Sequence, residues 1–491
     1  MIFLDKFLNS ITTYRLVLNS LVFLTAISVI LAAFDRLRYS WTVTVMVSSL
    51  LALLAACYFS NFIFSKVFNV PVNAESSLIT AFILFLILAP ADTSKQIMIL
   101  VIAGVVAMAS KYLLAPFRKH LFNPAAFAAA TLYIFGLDSA VWWVGDPWML
   151  PFVFITGFLI VRKIKRFSMV VAFFVAWLLS LSFFGRAIFS SYQSFLFALG
   201  PILFYATIML TEPITTPPTK KLQWIYGALN GLLLNVPIRL GGFSATPEIV
   251  LMIGNVLSYA TGSRRRYELT LKGKNEIAKD VCEFVFTPDR KINFKPGQYL
   301  EWTLAHDKKD SRGNRRYFTI ASSPTEGDVK LGVKYNNPPS SFKRALFTMQ
   351  DGDTFGAGQL GGDFVMPRDT TKKLVFIAGG IGITPFRSMI RFLLDKNERR
   401  DITLFYATKT EAEIAYRDIF TEAKNKLGIK TEYIVGRFID DEFVRRVVPD
   451  YHERIFYISG PDAMVNTFKK MLLKMNVPRR SIITDYFPGF A

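Results

Sequence analysis

Between about Leu16 and Ala260 the chain is a succession of long apolar runs with few charges, and after the basic cluster Arg264-Arg265-Arg266 that pattern stops abruptly. Runs lie at Leu16–Phe34, Trp41–Phe64, Ser76–Pro90, Ile97–Ala115, Ala125–Gly145, Trp148–Val161, Phe167–Phe184, Phe195–Leu210, Leu222–Val236 and Ile249–Ala260. A helix needs roughly 20 residues to cross the hydrocarbon core. Several runs are shorter, as in membrane proteins that build sites from broken helices. The expectation is a multi-span α-helical membrane domain of about ten helices over residues 1–262. The first run has no convincing small-residue cleavage site and reads as a retained span.

The charges between the runs set the orientation. With the N-terminus inside, the cytoplasmic gaps hold Lys66, Arg118, Lys119, Arg162, Lys163, Lys165, Arg166, Lys220 and Lys221, with Arg264 to Arg266 after the last run. The opposite gaps hold only Arg36, Arg38, Lys95, Arg186 and Arg239. Cytoplasmic loops of membrane proteins are enriched in Lys and Arg. Both termini and everything after Arg266 are therefore expected on the cytoplasmic side of a cell (inner) membrane. These gaps carry part of the net charge of +20. The cations punctuate apolar runs rather than forming a patch with interleaved aromatics, so no nucleic-acid partner is expected.

Missing ligands narrow the redox chemistry. The two cysteines, Cys57 and Cys282, cannot supply the four ligands of an iron–sulfur cluster and read as small buried hydrophobes. Haem in a membrane domain is commonly held by histidine pairs, yet His120 is the one histidine before Arg264. Neither haem, iron–sulfur cluster nor other metal site is expected. Polar features in this half are Glu75 at the start of a run, Asn123-Pro124 opening a helix, and Glu212 in TEPITTPPTKK. Such groups at membrane depth are costly and often functional, and they also serve as helix caps or interfacial residues. Asp138 reads as interfacial, near the outer face.

The stretches SKYLLAPFRKHLFNPAAFAAA and MLTEPITTPP, the latter followed by IYGALNGLL, and the last run after Pro247-Glu248 resemble the flavin-holding membrane proteins of two redox complexes. One complex is the sodium-translocating NADH:quinone reductase, and the other, which the stretches resemble equally, is the Rnf ferredoxin:NAD complex. The resemblance covers most of residues 75–260. It implies a ten-span protein with a flavin or quinone site near Asn123 and Glu212, and Glu75 is a further candidate. Those relatives carry covalent FMN on the Thr of a Ser-Gly-Ala-Thr motif. Here the nearest string is Ser244-Ala245-Thr246, without the Gly and just before the last run. A second flavin in the membrane half is accordingly expected to be non-covalent, with a quinone as the alternative.

Beyond Arg266 charged and apolar residues alternate in the usual globular manner. The runs YELTLKG, VCEFVFTP, QYLEWTL, YFTIASS and VKLGVKY read as strands of a β-barrel over residues 267–370. From 371 to 491, LVFIAGG, a helix from Pro385, DITLFYAT, a helix near Glu411–Lys426, TEYIVG, RIFYISG and a last helix read as an α/β parallel sheet that binds nucleotide at its strand C-termini.

Three motifs carry the chemistry. Arg316-Tyr317-Phe318-Thr319 offers a cation for phosphate, an aromatic for a flavin ring and a hydroxyl for its N5 edge; an ordinary barrel strand is the alternative. Ala378-Gly379-Gly380-Ile381-Gly382-Ile383-Thr384-Pro385 ends a strand and starts a helix, where backbone N–H groups can hold pyrophosphate. Ser459-Gly460-Pro461-Asp462 ends a later strand, where it could meet the nicotinamide ribose or ring or simply turn the chain.

Their order and spacing over 267–491 resemble the ferredoxin–NADP reductase family. That resemblance implies FAD at Arg316, Phe318 and Thr319, with phosphate and adenine contacts from Lys334, Ser340 and Ser341. It also implies NAD(P)H at Gly380, Gly382, Thr384, Gly460 and Pro461, with Gly379 and Pro385 framing the turn. The end Asp485-Tyr486-Phe487-Pro488-Gly489-Phe490 resembles the terminal aromatic segment that covers the flavin, Phe487 first and Phe490 second. Phe318 stands where many relatives have Tyr, and Ser459 where many have Cys. Thr319, Ser459 and Phe487 are the residues expected at the reacting rings. Lys409, after DITLFYAT, bears on NADH against NADPH: a lysine there can meet the extra phosphate or lie in solvent, and the balance leans slightly to NADH.

The expected function is transfer of electrons from NAD(P)H through FAD to a small-molecule acceptor, flavin or quinone, in or across the membrane, with further electron-transfer proteins as possible partners. The alternatives are a redox-driven cation transporter and a membrane-anchored redox sensor.

Overall fold

The computed structural model describes all residues except 1–3, 5–6, 9–10, 71–73, 117–118, 185–191, 241–242, 262–265, 307–309, 311–312, 336–337 and 488–491. The chain divides into two compact units, Met1–Arg265 and Arg266–Ala491.

In the first unit a helix lies over every apolar run: α1 (Thr13–Ala33), α2 (Val43–Val67), α3 (Ala74–Ile87), α4 (Ser94–Leu113), α5 (Pro124–Ile134), α6 (Leu150–Ile164), α7 (Phe167–Phe184), α8 (Tyr192–Phe204), α9 (Lys220–Leu233) and α10 (Pro247–Thr261). Local chemistry fixes several starts. Thr12 and Thr42 accept hydrogen bonds from the backbone N–H of Arg15 and Val45, and Thr93 forms a capping box with Gln96. Among the described residues α1, α2, α4 and α7 are long and apolar enough to cross a membrane. The run Ala125–Gly145 is not one span. Its helix stops at Ile134, before Gly136 with φ +64°, and the chain returns through a 3-10 turn at Trp143–Gly145.

Large apolar side chains face outward, among them Leu51, Phe59, Ile63 and Phe183 at 59%, 63%, 58% and 79% exposure. A water-soluble surface does not hold so many together, and lipid does. Inside, small residues let backbones touch. A Cβ on Gly227 or Gly231 would lie 2.3 Å from the carbonyl of Met169 or 2.2 Å from that of Phe173, so α9 packs directly on α7. Cys57 is buried against Gly104 of α4.

The second unit begins with a six-stranded antiparallel sheet of β1 (Tyr267–Ala278), β2 (Val281–Pro288), β3 (Tyr299–Thr303), β4 (Arg315–Thr319), β5 (Val329–Lys334) and β6 (Thr354–Gly361), in the order β4-β3-β6-β1-β2-β5. Its core is Leu269, Phe284, Phe286, Leu300, Trp302, Leu331 and Phe355, closed by Phe342 and Leu346 of α11 (Ser341–Thr348). The two edges approach where Ala321 N–H bonds to Lys330 O at 2.8 Å, just beyond β4. Strand β6 was not read from the sequence, because TFGAGQLG lacks the branched and aromatic residues that signal a strand.

A five-stranded parallel sheet follows, of β7 (Leu374–Gly379), β8 (Ile402–Thr408), β9 (Lys430–Val435), β10 (Ile455–Pro461) and β11 (Ile482–Phe487), in the order β9-β8-β7-β10-β11. Around it run α12 (Thr384–Lys396), α13 (Arg417–Leu427), α14 (Asp441–Val447) and α15 (Asp462–Lys474). The helix expected near Glu411–Lys426 starts later, at Arg417, after a 3-10 turn at Glu411–Glu413. Strand order reverses between β7 and β10, and open parallel sheets bind ligands at such a switch point, beyond the strand C-termini.

Candidate functional site

The Gly-rich turn and the Ser459 motif come from the two strands that flank the switch point. Strand β7 is buried throughout and ends at Gly379. The chain turns in 3-10 geometry over Gly380–Ile383 and enters α12, with Pro385 in its first turn. Gly380 has φ +53° and nothing within 4 Å of where a Cβ would stand, so a ligand can approach its backbone. Gly382 is there for packing: a Cβ would lie 2.4 Å from Ser459 O and 2.7 Å from Gly460 Cα. Gly379 likewise has no room, with Met464 Sδ at 2.2 Å. The glycines thus press the turn onto the end of β10. Thr384 is buried, and its hydroxyl donates to Ile381 O at 3.2 Å within the turn. Lys409 is exposed beyond β8.

Strand β4 sorts the first motif by alternation. Arg316 and Phe318 share a face and meet Phe342, with the Arg316 guanidinium carbon 5.3 Å and the Phe318 ring 5.8 Å from the Phe342 ring centre. Tyr317 points the other way, half-exposed, its hydroxyl 2.8 Å from Glu301 Oε2. The period-2 pleat therefore separates Tyr317 from Arg316 and Phe318, with which the sequence had grouped it.

Arg316 Nη1 donates to the carbonyls of Gly313 at 3.2 Å and Arg315 at 2.7 Å, and Nη2 lies 3.4 Å from Asp310 Oδ1. The same carboxylate accepts from Ser341 N–H at 3.1 Å, at the start of α11, where Ser340 caps the helix. Ser341 Oγ accepts from Asp310 N–H and lies 3.0 Å from His306 Nε2. A guanidinium and a helix start thus converge on the Asp310 carboxylate, two kinds of donor that also favour a phosphate. Asp310 and His306 were not singled out in the sequence; nothing but the tertiary contact marks them. Lys334 is drawn elsewhere: its ammonium pairs with Glu413 Oε2 at 2.8 Å, since the end of β5 faces the parallel-sheet half.

Two hydroxyls carry the fit to a bound ring system. Thr319 and Ser459 are 2% and 0% exposed, and neither hydroxyl has a hydrogen-bond partner among the described residues. Buried hydroxyls are normally paired, and these two stand at the end of β4 and at the head of the Ser459 motif. Phe487 lies in β11 opposite Pro461; Phe490 is outside the described residues. Cys282 is a free, partly buried thiol whose pKa burial raises.

The first unit holds a second polar cluster. The chain between α8 and α9 passes through a π-helical turn at Tyr205–Met209 and presents Glu212. Asn123 caps α5 and also donates to Glu212 Oε2 at 3.1 Å, so it is both cap and cluster member. Thr215 Oγ1 donates to the same oxygen at 3.0 Å, and His120 Nε2 lies 3.6 Å from Glu212 Oε1. Asn255 accepts from Asn123 N–H at 2.8 Å and donates to Tyr226 OH at 3.0 Å. His120, Asn255 and Tyr226 were missed as members, since they join Asn123 only through helix packing. Glu75 sits in the first turn of α3, favourable for a carboxylate, and outside these contacts.

Comparison with known proteins finds one family model in each of the two units. Residues 376–470 match the oxidoreductase NAD-binding domain profile, and residues 143–258 match that of the NQR2, RnfD, RnfE family. A flavohemoprotein of Oceanobacillus iheyensis is 25% identical over 234 residues, covering 44% of this chain and 57% of the relative. The chain thus spans under two thirds of that relative's length. The human oxidoreductase NAD-binding domain-containing protein 1 is 30% identical over 230 residues, 40% of this chain and 70% of the relative. The flavohem-like FAD/NAD-binding domain of a Vibrio cholerae nitric oxide dioxygenase aligns at 20% identity and TM-score 0.40, over 45% of this chain and 98% of its own. With a relative at that identity and coverage, the chain belongs to the oxidoreductase NAD-binding domain-containing proteins, and residues 143–258 of its first unit match the NQR2, RnfD, RnfE family model.

Proposed function

We propose that this chain is a membrane-bound NAD(P)H-dependent flavin oxidoreductase that passes electrons from NAD(P)H, through FAD, to a flavin or quinone acceptor in or across the membrane. The observation that carries the reading is a pair of buried hydroxyls without a partner among the described residues, Thr319 at the end of β4 and Ser459 at the switch point of the parallel sheet. FAD, when bound, would supply acceptance of a hydride and onward donation of single electrons.

The chain's own residues bind and orient. Phe318 offers an aromatic face beside the Arg316 corner, and the Arg316 guanidinium with the N–H groups that open α11 favours a pyrophosphate. Thr319 Oγ1 can hydrogen-bond a ring edge. Gly380 leaves its backbone open to a phosphate, Ser459 and Gly460 face the nicotinamide end, and Phe487 covers the flavin. Tyr317 and Lys334 are assigned no direct contact, given their bonds to Glu301 and Glu413. The preference between NADH and NADPH rests on Lys409, with the lean to NADH retained.

In the membrane half, the Asn123–Glu212–His120 cluster among apolar helices is the proposed place of a non-covalent flavin or a quinone, because polar groups at that depth are costly unless used. The charge bias of the gaps puts the reductase module on the cytoplasmic side of the cell membrane. A second reading, cation transport driven by the same redox chemistry, draws on the carboxylate of Glu248, 3% exposed and 2.5 Å from Trp142 Nε1.

The test is purified full-length protein in detergent. One or two flavins per chain are expected, together with oxidation of NADH or NADPH when a short-chain quinone is added. Protein that emerges without flavin, takes up no added FAD and leaves both nucleotides untouched sinks the reading. Turnover that rises with sodium favours the transporter.

A further inference from the structure

We propose that Arg387 is a positioning residue whose bonds to the flavin strand set the distance and angle between the flavin and nicotinamide rings; this rests on the NAD(P)H–FAD reading above. Helix α12 starts with the nucleotide turn, and one turn later it reaches into the antiparallel-sheet half. Arg387 is 3% exposed. Its Nη1 donates to Ala321 O at 3.2 Å and to Glu326, and its Nη2 donates to Glu326 Oε1 at 2.9 Å. The neighbouring Ser388, fully buried, donates to Ser322 O at 2.6 Å. Glu326 in turn accepts from Ser323 N–H at 2.7 Å and pairs with Lys330 at 3.1 Å. Every acceptor or donor on the flavin side therefore lies on the stretch that begins two residues after Thr319. A continuous set of bonds runs from the Gly382 turn through α12 to the residues beside the flavin hydroxyl.

Such a buried pair is a poor device for stability. Taking both charges out of water offsets most of their attraction, and an apolar pair of equal volume often does as well. What a fork-shaped guanidinium on a carboxylate does fix is direction. Hydride transfer is steep in geometry: reacting atoms must sit about 3–3.5 Å apart, and an error of about 1 Å costs on the order of 100-fold in rate. The two rings would be carried by different halves of the module, so some contact must hold the halves in register. Arg387 supplies a two-nitrogen contact of that kind from the helix that the nucleotide turn opens. Burial would raise the Glu326 carboxyl, but its hydrogen bond to Arg387 and the adjacent charge bring it down to about 2, so the pair stays charged at any working pH.

The experiment uses full-length, FAD-loaded protein and follows anaerobic bleaching of the flavin band by NADH in a stopped-flow instrument. In Arg387→Met the expected result is a bleaching rate at saturating NADH reduced about 30- to 100-fold, while FAD content and half-saturating NADH change less than about threefold. Arg387→Lys keeps charge but not the fork; it should fold as wild type and bleach about tenfold slower. A deuteride isotope effect that grows in both variants marks a lengthened transfer step, which a loss of stability alone does not produce. Wild-type bleaching rates in Arg387→Lys overturn the assignment, whether or not Arg387→Met folds. Wild-type flavin that neither NADH nor NADPH bleaches overturns the functional reading, and the assignment with it.

Discussion

Two residues of the flavin-side half illustrate opposite consequences of burial. Thr319 keeps a hydroxyl without a partner among the described residues, and an unpaired buried hydroxyl costs about 1–3 kcal/mol. Thr319→Val should therefore leave the melting temperature of the protein stripped of flavin unchanged or higher, yet weaken FAD binding about tenfold, as measured by flavin fluorescence on titration. A drop in stability without a change in FAD affinity would mean that the hydroxyl serves the fold. Glu326 is the reverse case. Its carboxyl is paired in the fold and ordinary in the unfolded chain, so its folded value, about 2, lies below the unfolded one. What its pairing contributes is present above the unfolded value and lost as pH falls from about 4.5 to about 2. Glu326→Gln should flatten the acid limb of stability against pH in that window; an unaltered limb contradicts the pairing.

At the scale of elements, the Gly-rich turn is informative because its glycines do different work. Gly382→Ala places a Cβ 2.4 Å from a backbone carbonyl of β10, so the turn must lift from the sheet. The expected outcome is a stability loss of about 2 kcal/mol or more and at least about tenfold weaker NAD(P)H binding, read by calorimetry and half-saturation. Gly380→Ala meets open space and suffers only the left-handed backbone, about 1–2 kcal/mol. Its stability should be the less affected of the two. Equal effects would show that the turn does not rest on β10. Both sheets and most strands were legible from alternation and turn residues. Strand β6 was not, because a Gly-rich strand such as TFGAGQLG is held by its neighbours and not by its own propensity.

At the scale of the whole molecule, the positive-inside bias yields a map that can be checked in intact cells. A cysteine at Lys95 should react with a membrane-impermeant thiol reagent added outside, and one at Lys66 or Lys220 should react only after permeabilisation. The opposite pattern would reverse the module's side and remove its access to cytoplasmic NAD(P)H. Of the native cysteines Cys57 is buried in α2, and replacing Cys282, which is only partly buried, with Ser removes it as a competitor for the reagent.

Sequence alone determined the division near Arg266, the helical character of the first part, and the NAD-binding oxidoreductase character of the second. These follow from hydrophobic period, charge placement and short motifs, which are properties of neighbouring residues. Tertiary structure decided which distant groups meet. It turned Tyr317 away from Arg316, gave Lys334 to Glu413, brought Asp310 to the start of α11, gathered His120 and Asn255 around Asn123 and Glu212, and joined Arg387 to Glu326. No local pattern encodes such pairs, because each is fixed by how whole strands and helices pack, and a single bond at that range leaves no period in the chain.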